Sequence, residues 1–135
     1  MQASVPERIE NLVGEGERIL VVDDVKEQQK IATGMLTRMG YDVVSVSSGE
    51  AAVDDVKQNR VDLLVLDMIM DSGIDGRETY RRIIHIHPGQ RAVITSGFSE
   101  SDRVHEARNL GAGVYVKKPY RLETIARAVR DELKR

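Results

Sequence analysis

Five short apolar runs alternate with five helical stripes along this chain, and that alternation restricts the fold more than any other feature. The central run is the clearest. In VDLLVLDMIMDSGIDG, from Val61 to Gly76, the apolar residues Leu63 to Leu66 end on a lone carboxylate, Asp67. The run is short and has no i, i+3, i+4 spacing, so it reads as a strand buried on both faces, as in a parallel sheet. Similar runs are RILVV at Arg18 to Val22, Tyr41 to Val46, Ala92 to Thr95 and Val114 to Val116. Between them the spacing turns helical. Ile31, Met35, Leu36 and Met39 form one stripe, which Gly40 stops. Ser47 to Glu50 supplies cap chemistry for a second helix through Gln58, with Ala51, Ala52 and Val56 available for its inner face. Tyr80, Ile83, Ile84 and His87 mark a third, ended by Pro88-Gly89. Ser99 to Asp102 opens a fourth, closed by Gly111, and Leu122, Ile125, Ala126, Val129 and Leu133 mark a fifth. A strand–helix unit repeated five times predicts an α/β domain, a parallel sheet with helices on both faces joined by right-handed crossovers.

At 135 residues the chain is one domain's worth. The polar stretch Met1 to Gly16, with Gly14-Glu15-Gly16 stopping any helix over Arg8 to Val13, reads as linker or tail, and residues 17–135 as the domain. The 22 acidic residues against 20 basic leave a formal charge of -2 with no basic stripe, so nucleic-acid binding by charge is not indicated. There is no cysteine, which excludes disulfides, thiol chemistry and Cys-based zinc sites. No apolar run approaches a membrane span and no signal-peptide core is visible, so a cytoplasmic location is expected. With no Trp and one Phe, the core must be aliphatic.

Four of the five strands end in residues suited to phosphoryl chemistry. Strand one delivers Asp23 and Asp24, strand three Asp67, strand four Ser96 and strand five Lys118. In a parallel sheet all of these reach one carboxyl-terminal edge, where open α/β sheets build their sites. Three clustered carboxylates repel, which raises their proton affinity unless a cation is present. Mg²⁺, hard and content with few protein oxygens, relieves that repulsion. Lys118 brings a point charge for a phosphoryl oxygen and Ser96 a hydroxyl donor. These parts meet the needs of phosphoryl transfer onto the Asp67 carboxylate, giving an aspartyl phosphate.

From about Glu17 to its end the chain resembles the receiver domain of two-component response regulators. The matching pieces are ILVVDD at Ile19 to Asp24, LLVLDMIM at Leu63 to Met70, ITSG at Ile94 to Gly97 and GAGVYVKKPY at Gly111 to Tyr120. The resemblance implies a flavodoxin-like (βα)5 fold with strand order 2-1-3-4-5. It implies Mg²⁺ on Asp23, Asp24, Asp67 and the backbone carbonyl of Ile69, with Asp67 as phosphoacceptor. It implies Lys118 before a cis-Pro119, a switch pair of Ser96 and Tyr115, and a signalling domain with self-phosphorylation and self-dephosphorylation rather than a classical enzyme. The implied partner is a sensor histidine kinase or histidine phosphotransfer domain, and the implied state a monomer or weak dimer. The register to Lys118 favours Ser96 over Thr95 as the switch hydroxyl. The loop after Asp67 departs from the pattern, with Asp71 in place of a Pro and Asp75-Gly76 one residue late, so a bulge is expected. Two bulky apolar side chains, Ile69 and Phe98, border the path of a hydrolytic water and imply slow loss of the phosphoryl group.

Competing readings fit less well. An aspartate-nucleophile phosphatase resembles D-x-D-x-[TV] after strand one, which Asp23-Asp24-Val25-Lys26 does not match. A dinucleotide-binding turn should follow strand one, but Gly14 and Gly16 precede it. A degenerate receiver acting as a phosphorylation-independent scaffold is disfavoured because the full residue set is present. His85 and His87 lack further ligands nearby and read as structural, His105 as solvated, Met35 and Met39 as core, and the charge run Arg127 to Arg135 as a solvated helix face. No output domain is recognisable after Arg135. The expectation is a stand-alone receiver or a piece of a larger protein, and LVGEGERILVVDD resembles the junction of a hybrid sensor histidine kinase with its C-terminal receiver.

Overall fold

The computed structural model describes residues 9–97 and 102–135. Phe98 and Ser99 to Ser101, the expected opening of the fourth helix, lie outside the described residues, as does Met1 to Arg8 of the expected tail. The elements follow one another as β1 (Arg18–Val22), α1 (Lys26–Arg38), β2 (Asp42–Val46), α2 (Gly49–Gln58), β3 (Leu63–Asp67), α3 (Gly76–Ile86), β4 (Ala92–Ser96), α4 (Asp102–Asn109), β5 (Tyr115–Lys117) and α5 (Leu122–Lys134). A short 3-10 turn, Ile9–Leu12, precedes them. The sheet has five strands in the order β2-β1-β3-β4-β5, every pairing parallel, as in flavodoxin-like folds. Among the described residues no helix is long and apolar enough to cross a membrane.

Strand composition follows position in the sheet. β3 and β4 are interior and buried at every residue, and β1 is buried from Ile19 onward. β2 is an edge strand, and its Asp42 and Ser45 are exposed. The period of two then sorts side chains to opposite faces. Leu20, Val22, Leu64, Leu66 and Ile94 pack with Ala52, Val56, Tyr80, Ile83 and Val104 from α2, α3 and α4. Ile19, Val21, Leu63, Val65, Val93 and Val116 pack with Ala32, Leu36, Ile125 and Val129 from α1 and α5. One helix starts on the expected cap and another on a cap not singled out in the sequence. The Ser48 side chain accepts from Ala51 N–H at 3.1 Å and the Asp75 side chain from Glu78 N–H at 2.8 Å.

Three expectations change in detail. Ile31 is 44% exposed, because the inner row of α1 runs through Ala32, Leu36 and then Met39, one position round the helix. The run Arg127 to Arg135 is not wholly solvated: Glu132 is 5% exposed. It follows Ala128 and Val129 at helical spacing and tucks against Gly113, where a Cβ would stand 1.8 Å from its Oε2. Within the stretch read as linker or tail, Leu12 is fully buried in the α1–α5 core, so a boundary at Glu17 cuts through packed structure.

Tyr80 is the largest fully buried side chain. Its hydroxyl donates to the Gln90 carbonyl at 2.7 Å. Tyr80→Phe keeps the packing and leaves that buried acceptor without this donor, so a stability loss of about 1 kcal/mol is expected. The urea unfolding midpoint measures it, and an unchanged midpoint would show the bond to be energetically neutral.

Candidate functional site

Parallel pairing aligns the carboxyl ends of β1, β3 and β5 around one cleft of about 450 Å³, lined by Val25, Gln28, Asp67, Ile69, Gly97, Lys118 and Pro119. Asp67 is the last residue of β3 and is 5% exposed; Asp23, just after β1, is 4% exposed. Asp24 is half-buried beside them. One carboxylate oxygen from each of Asp23, Asp24 and Asp67 lies within 4.8 Å of the others. The Lys118 ammonium contacts Asp23 Oδ2 directly and stands 3.6 Å from Asp67 Oδ2. The Lys118-Pro119 peptide is cis.

Backbone donors fix the carboxylates. Val25 N–H donates to Asp23 Oδ1 at 3.0 Å, Ile69 N–H to Asp67 Oδ1 at 3.4 Å, and Asp71 N–H to Asp24 Oδ2 at 2.8 Å. Burial pushes the Asp67 carboxyl up to about 6. The Lys118 charge and the Ile69 N–H oppose that shift, while Asp23 and Asp24 add to it. Burial, with Asp23 and Asp67 nearby, also pushes the Tyr120 phenol up to about 12. An all-oxygen set of three carboxylates with spare lone pairs suits a small hard cation such as Mg²⁺.

The loop after Asp67 closes back on the end of β3 where α3 begins. Gly76 N–H donates to the Met68 carbonyl at 3.3 Å, and a Cβ on Gly76 would lie 2.4 Å from the Asp67 carbonyl oxygen. That contact is with backbone, so only glycine lets α3 begin this close to the acidic strand end. Asp71 to Gly73 are all exposed, between the anchor on Asp24 and a bond from Ile74 N–H to Glu50 Oε2 at 3.2 Å.

The other residues singled out in the sequence are placed around this centre rather than all in it. Ser96 is 2% exposed at the end of β4, and its carbonyl accepts from Lys118 N–H at 2.8 Å. Strand alternation puts Ser96 on the Ile94 face and Thr95 on the Val93 face. Tyr115 packs on the Ile94 side too, so Ser96 and Tyr115 share a face. Tyr115 itself is half-buried and lines a different cleft, between β5 and α5, with Lys117, Glu123 and Arg127. His85, His87 and His105 are exposed and belong to neither centre. Two contributors have no distinctive sequence signal. Gln29 donates from Nε2 to the Asp23 carbonyl at 2.7 Å, tying the first turn of α1 to the acidic loop, and Gln28 lines the cleft mouth. A Gln in the first turn of a helix is commonplace, and only its position after Asp23-Asp24 points to a role.

The direction of the Asp67 shift fixes a pH dependence. Its ordinary carboxyl value is 3.8, so between about 4 and about 6 the folded protein holds a proton that the unfolded chain has lost. Metal-free stability therefore falls as pH rises through that window and stays lowered above it. Asp67→Asn is expected to be more stable than the parent at pH 7, by something on the order of 2 kcal/mol. The advantage should vanish below about pH 4, where both side chains are neutral. Urea unfolding at several pH values in a chelator checks it; a pH-independent difference would mean the gain is not electrostatic.

Comparison with known proteins shows the family of the chain. Residues 19–130 match the family model described as the response regulator receiver domain. Sporulation initiation phosphotransferase F of Bacillus subtilis is 32% identical over 117 residues, spanning 87% of this chain and 94% of the relative. Chemotaxis protein CheY of Thermotoga maritima is 26% identical over 115 residues, 84% and 95% of the two chains. The N-terminal domain of a response regulator/sensory box/GGDEF 3-domain protein from Carboxydothermus hydrogenoformans superposes with a TM-score of 0.81 at 30% identity, covering 87% of this chain and 94% of that one. On its fold and its sequence, the chain belongs to the response regulator receiver domain family.

Proposed function

We propose that this receiver is a Mg²⁺-dependent phosphoacceptor whose reacting atom is a carboxylate oxygen of Asp67. The observation that carries the reading is Asp67 itself, buried at the end of the central strand, 3.6 Å from the Lys118 ammonium and beside Asp23 and Asp24. The donor is a phospho-histidine of a sensor histidine kinase or histidine phosphotransfer domain. The Asp67 oxygen attacks phosphorus in line, the P–N bond breaks, and the imidazole leaves with the electron pair, so an acyl phosphate forms. Asp24, Asp67 and the Ile69 carbonyl would hold the metal, with Asp23 in direct or water-mediated support. Bound there, Mg²⁺ supplies positive charge for the phosphoryl oxygens and for the crowded carboxylates. Lys118, already between Asp23 and Asp67, pairs with a phosphoryl oxygen. Ser96 is the hydroxyl at the end of the neighbouring strand, and Tyr115, on the same face, is the aromatic that would follow its movement. The surface built by α4, β5 and α5 is then the output face. The name of the Bacillus relative, a phosphotransferase, accords with a relay role. The location fitting that chemistry is the cytoplasm.

Incubation with acetyl phosphate or a phospho-histidine donor plus Mg²⁺ is expected to add one base-labile phosphoryl group, lost in Asp67→Asn; label on a serine or histidine would refute the assignment. Asp24→Ala should weaken Mg²⁺ binding about tenfold or more, read by calorimetry. Mg²⁺ binding without any phosphoryl uptake would return the scaffold reading. The half-buried Ile69 borders the cleft and cannot orient a water. Decay of the phosphorylated parent is therefore expected to be slower than that of an Ile69→Asn, Phe98→Glu variant. Equal decay would dismiss shielding.

A further inference from the structure

At the sheet edge opposite the Asp67 cleft, the stretch Asn11 to Gly16 bridges the far ends of α1 and α5. Leu12 is fully buried in the core that holds Leu36, Met39, Tyr41 and Val129. On the α1 side, Gly14 N–H donates to the Met39 carbonyl at 2.6 Å and Gly16 N–H to the Gly40 carbonyl at 2.9 Å. On the α5 side, Arg130 Nη1 donates to the Asn11 carbonyl at 3.1 Å. Gly14 lies so flat on the Tyr41 ring that a Cβ would stand 2.2 Å from Cε1. This is a fitted seat, and it lies before the residues that match the family model, which begin at 19.

The same two helices reach the acidic site at their other ends. α1 begins at Lys26, directly after the Asp23-Asp24 loop, and its Gln29 holds the Asp23 carbonyl at 2.7 Å. α5 begins at Leu122, just after Lys118 and Tyr120, and the Lys118 ammonium contacts Asp23. Each helix has 13 residues, a rod about 20 Å long. α1 and α5 touch each other only sparsely. Beyond the sheet face on which both pack, they are tied at two places, the bridge at one end and the Asp23–Lys118 pair at the other.

We infer that Asn11 to Gly16 is a clasp that fixes α1 against α5 and so positions Lys118 against Asp23 and Asp67 from the far end of the domain. The inference rests on the phosphoacceptor reading of that site. Loosening the clasp lets α5 rock on the sheet, which widens the spread of Lys118 positions without removing any group that touches metal or phosphoryl. Coupling is reciprocal, so a ligand that orders the site also tightens the clasp. Chain preceding Leu12 acquires through it a mechanical handle on the acidic cluster.

The test uses the full-length chain and two variants, Leu12→Ala and Gly14→Ala. The first empties the seat and the second lifts the segment off the Tyr41 ring, so either one suffices if the other does not fold. Affinities for Mg²⁺ alone and for beryllofluoride with Mg²⁺, a phosphoryl mimic, are measured by calorimetry beside the thermal midpoint. Both affinities are expected to fall roughly threefold or more in a folded variant, and amide exchange at Gly14 and Gly16 of the parent is expected to slow when beryllofluoride binds. A lower midpoint with unchanged affinities overturns the inference, leaving Asn11 to Gly16 a purely stabilising segment. A parent that takes up Mg²⁺ but no beryllofluoride defeats the phosphoacceptor reading alone, and the Mg²⁺ measurement still decides the clasp. A parent that binds neither overturns both.

Discussion

Crowded like charge is the constraint on which the rest of this structure depends. Asp23, Asp24 and Asp67 gather within 4.8 Å, two of them almost wholly buried. At such separations each pair of carboxylates repels by a few kcal/mol even at an effective dielectric of about 20. Among the described residues the cation that contacts them is Lys118, from a loop 95 positions away from Asp23. Only a topology that returns every strand to the same edge can assemble such a group. The parallel order β2-β1-β3-β4-β5 does so, placing β1 beside β3 and leaving the end of β5 close enough for Lys118, just after it, to reach over. The upward shift of Asp67 is what remains after Lys118 has acted.

The sheet also separates duties. On one face the α2–α3–α4 core carries Ile94 and the packed edge of Tyr115, so whatever Ser96 does is felt there. On the other face, the α1–α5 core carries Val116 and receives Leu12. A period of two in the strands therefore decides which hydroxyl at the end of β4 stands with the tyrosine: Ser96 does, and Thr95 faces away. Neighbouring residues of similar chemistry are divided by backbone geometry alone.

Much of this could be read before any coordinates. The apolar runs at β1, β3 and β4 are unambiguous because interior parallel strands need to be apolar on both faces, and their order is what the family resemblance implies. The acidic residues and Lys118 were legible because strand ends in such sheets share an edge. What resisted was whatever depends on a partner distant in sequence. Ile31 looks like core until the rotation of α1 about its axis is known. Glu132 looks like surface because its berth exists only where Gly113 of another element leaves space. Leu12 looks like tail because the core it joins is built from residues such as Leu36, Tyr41 and Val129, none of them adjacent to it. Gln29 carries no signal beyond its position after Asp23-Asp24, since its role is a single bond to a carbonyl.

The loop from Asp71 to Ile74 has a use beyond the chemistry beside it. Asp71 to Gly73 are exposed, the loop is fastened at one side to Asp24 and at the other to Glu50, and Gly76 beyond it packs on the Asp67 carbonyl. The chain contains no cysteine. A lone thiol introduced as Ser72→Cys would thus be the only one in the molecule, open to a fluorophore, one residue from the amide that holds a carboxylate of the cluster. A dye there would ride on that anchor. Occupation of the cleft would be visible as a change in its environment, which turns an awkward irregularity of the sequence into a place to attach an optical reporter.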